Sequence, residues 1–203
     1  MSFKTKLTSR LAELGVELSE NLWAYMRWLV QNNHEHRYSS SDELFLSYSV
    51  NGEVVSDIQF TVPDDLVRYW LGAEGFEATI VPLVRCGGDG SYLALWKADD
   101  GEDRYVFLGS EGECFVVAES NEAFITLLTM GYISIEGRLE LDVTPGEQWA
   151  DWHDTPFPDF SELREWVSDR FGITHPNTGA ELLPYGLSDD PFVKFVGSVV
   201  RTD

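Results

Sequence analysis

Gly87-Gly88-Asp89-Gly90 is the stretch whose residue types point most directly to chemistry. Such a loop can cradle a diphosphate when a strand leads into it and a helix N-terminus follows, facing the phosphates. Here SYLALW follows at once and reads as a strand, so a turn between strands is expected, with glycine supplying positive φ. His34 and His36 form an H-x-H pair, which binds metal where alternate strand residues share a face. The pair follows a helical pattern in a polar run, and no Cys or acidic set stands nearby at ligand spacing, so a solvated helix end is expected. His153-Asp154 sets a base beside a carboxylate, but adjacent residues rarely face each other productively. G-x-S-x-G, H-E-x-x-H and C-x-x-C are all missing from the sequence. No catalytic residue, no metal and no cofactor is therefore expected. Cys86 and Cys114 border apolar runs and are read as small buried hydrophobes, reduced in a cytoplasm.

What remains is a surplus of carboxylates. The chain carries 14 basic and 35 acidic side chains, a net charge of −21. Residues 1–37 hold five basic and four acidic side chains, so the rest of the chain has a net charge of −22. Such a surface repels nucleic acid and anionic membrane and steers basic partners inward, or else only keeps the protein soluble. With 203 residues, 43% of them apolar, and seven Trp, the composition is that of one globular domain. No run reaches the ~18 apolar residues that a membrane span needs. The start of the chain lacks the apolar core of a secretory signal, so a cytoplasmic location is expected.

The elements that must position these carboxylates follow from periodicity. Phe3, Leu7, Leu11 and Leu14 recur at helical spacing and Gly15 follows as a stop. Ser19 can cap a second helix, with Leu22, Met26, Leu29 and Val30 as its inner stripe. Residues 44–50 and 53–60 alternate in polarity around Asn51-Gly52, which predicts a hairpin with a type I′ turn. Pro63 opens a short helix, with Asp64 and Asp65 at the positive end of its dipole and Gly72 as its end. Residues 76–86 read as a strand, in which Pro82 predicts an edge or a bulge.

Between Arg85 and Glu119 the runs SYLALW, RYVFLG and CFVVA are separated by the acidic turns DDGED and SEGE. Turns this short leave no room for crossovers, so three adjacent antiparallel strands are expected. Both parities of each run are apolar, so helices must cover both faces. Ser120 then caps a helix that runs to Gly131. Residues 133–137 and 138–143 suggest two more strand pieces, and 145–158 a loop carrying Trp149 and Trp152. A helix runs from Phe160 to Gly172, residues 175–186 are loop-rich, and Asp190-Pro191 begins a last helix with Phe192, Phe195, Val196 and Val199 as its apolar face. The fold class expected is α+β: one domain with a mostly antiparallel central sheet flanked by helices.

The sequence GGDGSYLALW, a turn, YVFLGSEGE, a VVAES segment and a helix ending in glycine together resemble the SUKH superfamily. That group holds the Smi/Knr-like regulators of yeast cell-wall synthesis and bacterial immunity proteins against polymorphic toxins. The resemblance extends from about residue 62 to 131, and in weaker form into the Trp-rich segment and PFVKFV of the tail. It implies a single domain over 1–203, with 1–60 a helical and hairpin extension and 145–203 a helical one. It also implies a non-enzymatic cytoplasmic binder: an immunity protein that neutralises a cognate toxin or, alternatively, a regulatory or scaffolding module for a cellular protein. The partner implied is a basic toxin domain, nuclease-like because such an enzyme must itself bind phosphate. Nucleic acid and membrane are not expected as partners, and a monomer or weak dimer is expected.

On this view the partner-binding candidates are the acidic turns. Successive turns of a meander emerge at opposite ends of the sheet. Asp89, Glu111 and Glu113 are thus expected at one end, and Asp99, Asp100, Glu102 and Asp103 at the other; the sequence does not choose between them. Trp149 and Trp152, set among acids, either anchor a basic partner as interface tryptophans do or lid the sheet.

Overall fold

The structure, a computed structural model, describes residues 2–200. Ser2 caps α1 (Phe3–Leu14) by accepting from Thr5 N–H at 3.3 Å, and Gly15, at φ +66°, closes it. Ser19 caps α2 (Glu20–Gln31) in the same way through Leu22 N–H at 3.2 Å. Val30 is not on the inner stripe of α2: it is 41% exposed, while Tyr25 and Trp28 are buried. It lies one residue, about 100°, past Leu29, which turns it off the stripe.

The chain reverses through Asn33, at φ +64°, straight into a strand. His34 and His36 are therefore not a solvated helix end. His34, 7% exposed, stacks on Trp28, and its Nδ1 accepts from Ser49 N–H at 3.2 Å. Burial, and then the charge of His36, lower its pKa. His36 lies on β1 (Glu35–Arg37), with Nε2 3.1 Å from Ser47 O. Among the described residues, no group of three or more His, Cys, Asp or Glu is placed to hold a metal ion.

The remaining strands are β2 (Leu44–Leu46), β3 (Ser49–Val50), β4 (Glu53–Val54), β5 (Gln59–Phe60), β6 (Ile80–Arg85), β7 (Tyr92–Lys97), β8 (Asp103–Leu108) and β9 (Cys114–Ala118). Seven of the nine strands form one antiparallel sheet in the order β1-β2-β5-β6-β7-β8-β9, while β3 and β4 pair on their own. Asn51 and Gly52 both have positive φ, +53° and +82°, as a type I′ turn requires. The predicted hairpin is nevertheless divided. Only its tip pairs directly; its outer parts rejoin as the β2–β5 pair, and between them Asp57 N–H donates to Ile133 O at 2.7 Å instead of to the opposite strand.

Pro82 marks a register shift in β6, a strand inside the sheet, at a point beyond the pairing of the short β5. The helix after Pro63 starts later than expected: α3 spans Leu66–Leu71, and Asp65 stands before it at φ +56° without capping it through its side chain. Ser120 caps α4 (Asn121–Thr129), and α6 (Ser161–Phe171) and α7 (Pro191–Val200) lie where the periodicity puts them.

The predicted strand pieces at 133–143 do not form. Their backbone groups are bonded elsewhere: Gln148 accepts from Ile133 N–H and donates to Ser134 O, and Ile135 N–H donates to Cys86 O. Arg138–Asp142 is a 3-10 helix. The loop expected at 145–158 begins instead with α5 (Pro145–Trp152), set by a capping box between Thr144 and Glu147 with Pro145 at the first position.

Two cores result. Leu93, Leu95, Tyr105, Phe107, Phe115 and Val117 face α1, α2, α4 and α6, while Ala94, Trp96, Val106, Leu108 and Val116 face α3 and α7. The fold is thus one α+β domain whose meander is buried on both faces. Residues 3–60 supply two of its helices and three of the seven strands. Among the described residues, no helix is long and apolar enough to cross a membrane.

Candidate binding surface at the ends of the sheet

GGDG is a turn. Cys86 N–H donates to Ser91 O at 2.9 Å, Gly90 takes φ +99°, and β7 begins at Tyr92. No helix terminus follows the loop to face a phosphate. The Asp89 carboxylate knits this turn to the next, accepting from Ser91 N–H at 2.9 Å, Ser91 Oγ at 2.7 Å and Ser110 Oγ at 2.6 Å. Burial works against its charge, but the hydrogen bonds from Ser110 and Ser91 outweigh this and hold its pKa below the usual value. Asp89, Glu111 and Glu113 thus share one end of the sheet, and Asp89 serves there as a brace between turns.

Three further carboxylates join this end that periodicity did not place there. Glu136 Oε1 accepts from Gly88 N–H at 3.1 Å, Glu140 accepts from Glu136 N–H, and Asp57 Oδ2 lies 3.5 Å from the position of a Cβ built on Gly88. Glu113 approaches the same segment, with Oε2 2.9 Å from a Cβ built on Gly137. Burial first, and then the charges of Glu136, Asp89 and Glu113, raise the pKa of Glu140. The same field reaches Cys86, whose thiol is pushed well up by burial and then by Asp89, Glu140 and Glu136. Among the described residues, none of these six carboxylates makes an ion pair within 4.0 Å. The local arginines are engaged elsewhere: Arg85 bonds Gly87 O and Gly88 O, and Arg138 bonds Tyr185 O and lies over the Phe115 ring. Leu139, 81% exposed, stands in the middle of this acidic segment.

At the opposite end half of the carboxylates are paired. Asp100 takes Arg104 in a two-pronged pair at 3.0 and 2.8 Å, which lowers the pKa of its carboxyl, and Lys97 pairs with Asp103 at 2.6 Å. Only Asp99 and Glu102 of that turn make no ion pair among the described residues. No protein-family model, curated protein or solved structure matches this chain.

Trp149 and Trp152 belong to neither core, so they do not lid the sheet. Trp149 is half-buried, stacks on His153 at 4.0 Å and donates from Nε1 to Thr155 O at 2.8 Å. Trp152 is 72% exposed at the end of α5. The two thiols are buried and free; burial, with Asp190 and Glu113, pushes Cys114 up to about 11. At neutral pH neither is a thiolate nucleophile.

Proposed function

We propose that the protein is a non-enzymatic binder of a basic protein domain: an immunity protein of the SUKH kind that occludes a cognate toxin with the GGDG end of its sheet. The observation that carries this reading is the contrast between the ends. Among the described residues, one holds six carboxylates without an ion pair, with Leu139 exposed between Glu136 and Glu140; the other holds two of its four in local pairs. An exposed apolar side chain in a surface with more carboxylates than cations suits a partner of the opposite sign, with charge setting association and the anchor setting dissociation. A toxin that acts on nucleic acid needs a basic active surface, and carboxylates would compete there with its natural substrate.

An immunity role requires a toxin-domain gene directly upstream of the protein's own, whose absence favours a regulatory module, and the test uses the domain it encodes. Replacing Glu111, Glu113 and Glu136 together by Lys should slow association by about tenfold or more at low salt and flatten its salt dependence. Replacing Asp99 and Glu102 by Lys should change both much less. Leu139→Ala should speed dissociation and leave association nearly unchanged. If the triple variant keeps the wild-type rate and salt slope, or no complex forms with the wild-type protein at low salt, the proposal fails.

A further inference from the structure

We propose that the cleft between the start of α5, α6 and the loop that follows α6 binds a compact oxyanion, a carboxylate or phosphate group. The cleft holds about 310 Å³, and its walls include Arg164, His175, Thr144, Gly146, Asn177 and Phe157 but no Asp or Glu. In a chain with 35 acidic side chains, a cleft that brings an arginine and a histidine together without a carboxylate is an electrostatic exception.

Arg164 is half-buried and makes no ion pair within 4.0 Å among the described residues. Its guanidinium donates to Met130 O and lies 6.0 and 5.9 Å from the ring centroids of Phe157 and Phe160, while its buried Nε has no partner. Burial lowers its pKa, and Asp159 offsets this only in part.

His175 Nε2 is 2.7 Å from Thr129 Oγ1, a hydroxyl that also lies 2.8 Å from Ile125 O and 3.1 Å from Thr126 O, both of which can only accept. With the hydroxyl proton on a main-chain carbonyl, Nε2 carries the hydrogen shared with Thr129, and Nδ1 has no partner among the described residues. Burial, and then the charge of Arg164, lower the pKa of His175 to about 4. An oxyanion between the two groups would relieve both. It would offset the guanidinium charge and favour a proton on Nδ1, so that binding takes up a proton.

The N-terminus of α5 contributes Thr144 and Gly146 to the wall, but its dipole is already met by its own capping box. Glu147, the acid of that first turn, accepts from Thr144 N–H and Oγ1 at 2.9 and 2.8 Å. Phe157, Met130, Pro145 and Pro176 supply apolar wall, which suits an oxyanion carried on a small organic body.

The experiment titrates the full chain near pH 6 with sodium phosphate, sodium acetate and, at matched ionic strength, sodium chloride, following the His175 ring protons by NMR. Phosphate, acetate or both should shift these signals saturably at millimolar concentration and raise the pKa of His175, whereas chloride should not. Phosphate alone points to a phosphate-bearing ligand, and acetate alone to a carboxylate. Arg164→Gln should abolish the response. Asn177→Glu, at an exposed position on the wall, leaves the buried contacts intact and should weaken binding by about tenfold through charge alone. The proposal is overturned if neither probe moves His175 more than chloride does, or if the response survives in both variants.

Discussion

Asp190 ties the last helix to the edge of the sheet, and its removal gives a prediction whose size follows from its contacts. The residue is 0% exposed. One oxygen accepts from Phe192 N–H at 2.8 Å and Val193 N–H at 3.2 Å at the start of α7. The other accepts from Val116 N–H of the edge strand β9 at 2.8 Å. Asp190→Ala removes a helix cap, which costs about 0.5–2 kcal/mol. It also strands the buried Val116 N–H, which costs about 1–3 kcal/mol. Together the loss should be about 1.5–5 kcal/mol, or roughly 3–20 °C in Tm for a domain of this size. Asp190→Asn keeps one acceptor oxygen and should fall between the two. Urea and thermal unfolding measure the loss, and rising fluorescence of bound ANS would report Phe192 leaving the Trp96 face of the sheet. If Asp190→Ala unfolds within about 0.5 kcal/mol of the wild type, Asp190 does not join α7 to β9 in the way described.

Three further outcomes follow. Gly52→Val forces a β-branched residue to φ near +82° and should destabilise by about 1–2 kcal/mol; an unchanged melting temperature would contradict the type I′ turn. Asp89 has a depressed pKa, so its contribution is present above the ordinary aspartate value and fades as pH falls through the folded value. The stability gap between wild type and Asp89→Asn, followed by urea unfolding, should therefore narrow below about pH 4, and parallel curves would refute the bracing role. ATP or NAD titrated calorimetrically should show no micromolar binding that Asp89→Ala abolishes, since a strand and not a helix follows GGDG; such binding would overturn that argument.

Local signals determined much of this protein. Ser19, Ser120, Gly15 and Gly72 mark helix ends through their own backbone chemistry, and Asn51-Gly52 specifies its turn. The three apolar runs with short acidic turns dictate the meander and, by parity, its two buried faces. The start of α5 was also legible, since Thr144, Pro145 and Glu147 are a capping box with proline at the first position. The aromatic, acidic residues after it obscured that signal.

Other features belong to tertiary structure alone. Residues 133–143 alternate as strands do, yet Gln148 and Cys86 take their backbone groups, and this brings Glu136 and Glu140 to the GGDG turn. His34 is buried because Asn33 reverses the chain beneath Trp28. The difference in charge between the two acidic ends rests on which arginines and lysines reach them. Composition fixes how many charges there are, but an ion pair forms only within a few ångströms, and the packing of distant segments sets that distance. Lys97 and Arg104 stand beside DDGED on the strands that flank it, whereas Arg85 and Arg138 are held by main-chain carbonyls and leave the GGDG end negative.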